Sequence, residues 1–363
     1  MKKTSLHVIY GNDPEAMVKE LLESMHIGEQ IEPGMKIGLK PNLVMAKPAS
    51  TGATTHPEIT EGIIRYLHDL NCKEITIMES SWTGGNTGRA FKSCGHTGLA
   101  KKYGCTLLDL KKDTTTGYTV GELSLDVCDA PGRVDYLINL PVLKGHCQTD
   151  LTCALKNLKG CIPDSEKSRY HRIGLHRPIA ALNTVVRQDL IIVDGIEGDL
   201  SYEGGGNPVR MDRIIGGFDP VLVDAYAATL MGYDPERIEY IPLAAELGVG
   251  SMDLGQAEIT ELGDREKKRA VQPPANVARR FGNYIDPKEA CSACFGNVVH
   301  ALQRLKQEGS LEKLPEKVRF GQGWRGESGS GLGIGVCTRG FDRSINGCPP
   351  NTGEIVRFLR RQS

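Results

Sequence analysis

The chain has 363 residues, 39% of them hydrophobic, and its 44 Lys and Arg stand against 45 Asp and Glu for a formal charge of −1. That content is enough to bury a core for two domains, or for one large domain with an appendage, and excludes a disordered chain. So even a balance gives no global basic field, which disfavours nucleic acid, and eleven cysteines are too few and too odd in number for a disulfide scaffold, which points to reduced cytoplasm.

After Met1-Lys2-Lys3 the apolar stretch is broken at His7 and closed by Gly11-Asn12-Asp13, too short for the core of a signal peptide. Nowhere do about eighteen apolar residues run on, so no membrane span is expected.

Leu6 to Tyr10 reads as a strand, and Asp13-Pro14 starts a helix carrying Met17, Leu21 and Leu22, an α/β opening. Met35 to Leu39 is the next strand. Lys40-Pro41-Asn42 follows at its carboxyl end, where open α/β sheets place ligand groups, so Lys40 is a site candidate against the plainer reading of a solvated lysine before a turn proline. Thr55-His56-Pro57-Glu58 starts a helix with Ile59, Ile63, Tyr66, Leu67 and Leu70 as its buried stripe. Glu74 to Met78 is a strand, and the glycine-bearing loop from Ser80 to Gly88 leads into a helix without completing any nucleotide fingerprint. Cys105 to Leu110 adds a strand, and Lys111 to Gly132 is an excursion with the character of a hairpin.

Tyr136 to Val142 is an apolar strand ending at Lys144-Gly145-His146, and Asp150 is expected to begin a helix with Leu151, Leu155 and Leu158 inside and Thr152, Lys156 and Lys159 outside. Clustered lysines depress one another's pKa and attract an anion; the bland alternative is a solvated basic face. Leu190 to Val193 is a strand, and Asp194-Gly195 opens a loop through Glu197, Asp199 and Glu203 to Gly204-Gly205-Gly206, carboxylates placed to hold a cation or orient a base. Val221 to Met231 is a helix and Glu258 to Leu262 a strand. Past the charged run Asp264 to Ala270 and Pro273-Pro274 we expect a domain joint, with an α/β domain over 1–265 and a small module over 275–363.

That module carries Cys291-Ser-Ala-Cys294, Cys337 and Gly347-Cys348-Pro349. Forty-two residues separate Cys294 from Cys337 and ten separate Cys337 from Cys348, so the thiols meet only if the chain folds back. Four thiolates suit zinc or an iron–sulfur cluster. A single close pair and a proline after the last ligand favour a [4Fe-4S] cluster over zinc, the remaining alternative being unligated buried thiols. Val298, Val299, Leu302 and Leu305 fall at helical spacing, which puts Cys291 and Cys294 at a helix start, with its amides facing an anionic cluster.

Lys40-Pro41-Asn42, Thr55-His56-Pro57, Leu140 to His146, Ala154 to Gly160 and Val193-Asp194-Gly195 together give the chain, over roughly residues 35 to 235, a form that resembles the domain-of-unknown-function 362 family. The resemblance implies an α/β domain, an iron–sulfur module in many members, and a shared pocket of Lys40, Asn42, His56, Lys144, His146, Lys156, Asn157 and Asp194. It implies no reaction. The tail here spreads its four cysteines more widely than the ferredoxin-like tails of other members.

The expected fold is therefore α/β, a mostly parallel sheet flanked by helices, with a cysteine-liganded metal-cluster module at the C-terminus. The expected function is a cytoplasmic iron–sulfur oxidoreductase acting on a small anionic substrate. His146, Lys144 and Asp194 would be catalytic, with Asp194 orienting His146 or a cation, and Lys40, Asn42, His56, Lys156 and Asn157 would bind substrate. Cys291, Cys294, Cys337 and Cys348 would ligate the metal. The partners are that substrate and an electron-donor protein, with a homo-oligomer left open. A non-redox lyase or isomerase, or a binding or maturation protein with a structural cluster, is the alternative. Cys147, Cys153 and Cys161 read as structural cysteines, or as thiols whose pKa neighbouring Lys and His would lower.

Overall fold

A computed structural model describes residues 4–271 and 278–362. Pro273-Pro274 and the first residues of the expected 275–363 module lie outside the described residues. The chain divides into two compact units, one of residues 4–166 and 175–271, the other of 167–174 and 278–362.

The first unit is built from strand–helix alternation. β1 (Ser5–Tyr10) leads to α1 (Pro14–Ser24), where Asp13 accepts from Ala16 N at 3.2 Å and Pro14 takes the first helical position. β2 (Ile37–Pro41), α2 (Pro57–Asp69), β3 (Ile75–Glu79), α3 (Thr87–Ser93), α4 (His96–Tyr103) and β4 (Thr106–Asp109) follow. The excursion is a hairpin, β5 (Thr115–Val120) with β6 (Leu123–Cys128). After β7 (Tyr136–Leu140) comes a second hairpin, β8 (Lys144–His146) with β9 (Asp150–Thr152), then α5 (Ala154–Asn157), α6 (Asp164–Ile173), which from residue 167 on belongs to the second unit, and α7 (His176–Val185). β10 (Leu190–Asp199), β11 (Pro208–Gly217), α8 (Pro220–Leu230), α9 (Tyr240–Glu246) and β12 (Glu258–Gly263) complete the unit.

Eight strands form one sheet in the order β12-β1-β11-β10-β7-β2-β3-β4, and β11 is its one antiparallel member. The sheet is mostly parallel, with the helices supplying its cover. Apolar residues such as Leu21, Ile59, Ile63 and Ile64 from the helices pack on Ile37, Ile77, Ile138 and Ile192 from the strands. Each such side chain contributes about 1.5–3 kcal/mol through burial.

Two expectations fail: Asp194-Gly195 opens no loop, since β10 continues through Glu197 to Asp199 and pairs with β11, and the helix expected from Asp150 is absent. Asp150 lies in the left-handed region at φ 61° and enters β9, which pairs with β8 in the register Lys144↔Thr152 and His146↔Asp150. Leu151, Leu155 and Leu158 are all fully buried, but in a strand, a one-turn helix and the 3-10 turn Leu158–Cys161 respectively. Helical spacing was present without a continuous helix because burial on all sides removes the amphipathic contrast that the pattern relies on.

The second unit holds an all-parallel sheet of β13 (Ile285–Pro287), β14 (Val318–Phe320), β15 (Gly329–Ile334) and β16 (Phe341–Ile345), with α10 (Ser292–Gln307) and α11 (Thr352–Arg360). α11 starts on a capping box between Asn351 and Glu354. Among the described residues no helix is long and apolar enough to cross a membrane.

Candidate functional site

Parallel strands present their carboxyl ends together, and β2, β3, β7 and β10 bring polar side chains to one end of the sheet. Lys40 is fully buried and donates to Glu79 Oε2 and to the Pro41 carbonyl, each at 2.8 Å. Glu79 also accepts from Leu43 N at 2.8 Å and Ser80 N at 2.7 Å. The anion expected at Lys40 is thus the protein's own carboxylate. Asn157 donates to the Lys40 carbonyl at 3.1 Å and to Asn139 Oδ1 at 2.7 Å, which ties α5 to β2 and β7. Both Lys40 and Asn157 brace the floor of the site.

Gly160 shows how tightly that floor is packed. A Cβ there would overlap Glu79 Oε1 and stand 2.5 Å from Lys40 Cε. Gly160→Ala is expected to cost about 3 kcal/mol through overpacking, seen as a lower urea midpoint with an unchanged slope.

Above this floor Lys144, also buried, donates to Asn42 Oδ1 at 3.1 Å, to the Glu203 carbonyl at 3.0 Å and to the Ala53 carbonyl. All three ammonium hydrogens are used. Burial, and then the charge of Lys156, push its pKa down to about 7. Gly145 lets this happen, because a Cβ there would strike the Leu200 carbonyl and hold the loop after β10 away from β8.

Asp194 is fully buried, and its Oδ2 accepts from both His56 N (2.7 Å) and His56 Nδ1 (2.8 Å), while Oδ1 accepts from Ile196 N at 3.1 Å. The histidine it orients is therefore His56, not His146. Burial alone would lower the His56 pKa, but the Asp194 carboxylate more than reverses this and raises it to about 9.

His146 belongs to a third group. Its Nδ1 accepts from Gln148 N (3.1 Å) and Thr149 N (3.2 Å), so the neutral ring carries its hydrogen on Nε2, 3.6 Å from Glu203 Oε1. The Cys147 thiol donates to the same Oε1 and its N–H to Oε2, both at 3.2 Å. Among the described residues these three are the set whose donor atoms all close to within 4.8 Å, and Cys153 and Cys161 stay outside it. With its hydrogen on Nε2, His146 would have to give up that proton before the set could hold a cation. Burial raises Glu203, and burial together with Glu203 raises the Cys147 thiol well above its usual value, the reverse of the activation expected for it. Half-buried Lys156 is pushed down to about 8 by burial, against the opposing pull of Glu203 and Cys147.

Asp199 instead stabilises its own loop, accepting from Ser201 N, Tyr202 N and Asn207 N at 2.9–3.0 Å. Sequence reasoning gave no role to Glu79 or Asp224. A charged residue closing an apolar strand was the available signal for Glu79. Asp224, inside the apolar α8, accepts from Ala154 N at 2.7 Å and Leu155 N at 3.3 Å at the start of α5, and burial pushes its pKa up to about 7.

In the second unit Cys291 is the N-cap of α10 and Cys294 lies one turn inside it. Burial and then the charges of Cys291, Cys337 and Cys348 all raise the Cys294 pKa, so the folded-back tail brings the other three thiols within electrostatic reach of Cys294. Arg325 Nε donates to Cys337 Sγ at 3.4 Å, and Gln322 Nε2 to Cys291 Sγ at 3.5 Å.

The profile of a domain of unknown function, DUF362, matches residues 37–229, more than half of the chain. The chain belongs to this family. The DUF362 match runs from β2 into α8, takes in all eight pocket residues and stops before the tail cysteines. Over 258 residues the chain is 26% identical to the thylakoid-associated protein sll1697 of Synechocystis, covering 64% of this chain and 77% of that one. Similar solved structures include a Thermotoga maritima protein (TM-score 0.40, 13% identity, 65% of this chain and 60% of that one). Another is the lactate racemase apoprotein of Thermoanaerobacterium thermosaccharolyticum (TM-score 0.38, 12% identity, 62% and 56%). The chain spans less than two thirds of either of these two structures.

Proposed function

We propose that this DUF362 protein is a cytoplasmic iron–sulfur oxidoreductase whose α/β unit takes a small anionic substrate and whose reducing equivalents come from an electron-donor protein. The observation that carries the reading is that Cys291, Cys337 and Cys348 all bear on Cys294, in the first turn of a 16-residue helix. Helix amides and Arg325 both favour the negative charge that a thiolate-bound cluster brings. Zn–S bonds of about 2.3 Å hold four thiolates about 4 Å apart. No three of the tail sulfurs close to within 4.8 Å of one another among the described residues, which suits the larger [4Fe-4S] core.

Cys291, Cys294, Cys337 and Cys348 would hold the cluster, and its chemistry is one-electron transfer. In the α/β unit His146 keeps a proton on Nε2, Glu203 shares it, Asp194 fixes His56 as a cation, and the lysines supply positive potential for the anion. The His146, Glu203 and Lys156 grouping also favours a second reading, a non-redox lyase or isomerase in which the cluster is structural. Loss of the visible absorbance under anaerobic reduction, coupled to substrate consumption, supports the first; turnover without a donor supports the second.

Anaerobically prepared protein is expected to contain about four iron and four acid-labile sulfide per chain. Cys294→Ser should lose nearly all of both while the far-UV circular dichroism stays unchanged. One zinc per chain without sulfide would overturn the cluster, as would metal-free protein after reconstitution with iron and sulfide.

A further inference from the structure

We infer that the ε-amine of Lys156 is a covalent attachment point for the carbonyl carbon of a small 2-oxo acid, an inference that rests on reading the pocket as an anion site.

The two lysines that face each other electrostatically are held in different ways. Lys144 has spent its three hydrogens on Asn42 Oδ1, the Glu203 carbonyl and the Ala53 carbonyl. It is locked, and its lone pair is unavailable whenever those bonds stand. Among the described residues no hydrogen-bond acceptor reaches Lys156 Nζ, although the side chain is half-buried. A half-buried ammonium held by no protein acceptor, its burial outweighing the opposing charge of Glu203, is the arrangement that favours the neutral, nucleophilic amine. The downward shift of Lys156 to about 8 agrees with this.

Two more polar atoms stand without partners. Thr152 is 3% exposed and its Oγ1 has none, and it lies opposite Lys144 in the β8–β9 register. His176 Nδ1 is buried without a partner, and the charge of Lys156 acts on its ring. A hydroxyl and an imidazole N–H are donors, and a ligand carboxylate would satisfy both while balancing the positive charge of the lysines. A ketone or aldehyde carbon next to that carboxylate then falls to the amine.

The step conserves atoms and electrons. The lone pair of the Lys156 nitrogen attacks the carbonyl carbon and forms the C–N bond. Both nitrogen hydrogens move to the oxygen, the C–O bond breaks, and water leaves an imine. Glu203, protonated more readily because burial outweighs the hydrogen bonds it accepts from Cys147, is the group beside Lys156 that passes protons from nitrogen to oxygen. Hydrolysis reverses the step, and no oxidant or reductant is consumed.

The test uses full-length protein, glyoxylate as the 2-oxo acid and sodium cyanoborohydride, which reduces an imine to a stable secondary amine. Peptide mass spectrometry is expected to find the carboxymethyl increment on Lys156 at least tenfold faster than on exposed Lys101, and no such fast site in Lys156→Arg. Labelling of Lys156 no faster than Lys101 overturns the inference. If acetaldehyde labels Lys156 as fast as glyoxylate, the 2-oxo acid assignment falls together with the anion-site reading, whereas slow labelling by both probes removes the covalent step alone. A thermal unfolding midpoint for Lys156→Arg within a few degrees of the unsubstituted protein confirms that the control is folded.

Discussion

Glu79→Ala is expected to destabilise the α/β unit by about 3–5 kcal/mol, the largest single loss that the site predicts. The substitution leaves Lys40 buried without its ion partner and strips the acceptor from Leu43 N and Ser80 N, all within 2.7–2.8 Å of the carboxylate. Mutual attraction alone does not explain so large a value, since two charges brought out of water repay most of their Coulomb energy as lost hydration; the cost comes from leaving one of them unpaired. Replacing both residues together, as Lys40→Met with Glu79→Leu, is therefore expected to cost less than Glu79→Ala alone. Urea unfolding of Glu79→Ala, of Lys40→Met, of Glu79→Leu and of the double variant measures this directly, and a double variant whose loss is the sum of the Lys40→Met and Glu79→Leu losses would show that Lys40 and Glu79 are not coupled.

Asp194→Asn is expected to drop the His56 pKa from about 9 to below the usual 6.5, because burial, the largest influence on the ring, is then opposed only by the weaker charges of Glu58 and Glu197. The sign of the stability change follows from linkage. The folded protein keeps the His56 proton up to about 9, whereas the unfolded chain gives it up near 6.5, so the pair stabilises fully below pH 6.5. That contribution declines as pH rises from 6.5 to 9 and is gone above it. At full strength it is worth about 3 kcal/mol. An NMR titration of the His56 ring checks the pKa, and denaturation of both forms at pH 6 and pH 9.5 checks the stability. A gap between the two forms that does not narrow at the higher pH would disprove the pairing.

Strands β1, β2, β3, β4, β7, the first half of β10 and β12, the hairpin after β4, the start of α10 at its cysteines and the position of Lys40 at a strand end were legible because each depends on a local pattern. An apolar run sets a strand, a proline or an N-cap residue sets a helix start, and a polar residue just beyond an apolar run sits at a sheet edge. The partners of those residues were not legible. Lys40 meets Glu79 across 39 positions and His56 meets Asp194 across 138. Such pairs form only once the order of neighbours in the sheet is settled, and that order places β7 between β10 and β2. The same limit hid the meeting of His146, Cys147 and Glu203, although Glu203 stood out as a carboxylate on a glycine-rich loop.

By itself the sequence determined an α/β chain with basic and acidic groups at strand ends and four cysteines able to meet in the tail, since spacing and side-chain type decide those things residue by residue. Tertiary structure alone decided which charges neutralise one another. It also decided which amine is left without a partner, because burial and hydrogen bonding depend on every neighbour that the folded chain brings within reach.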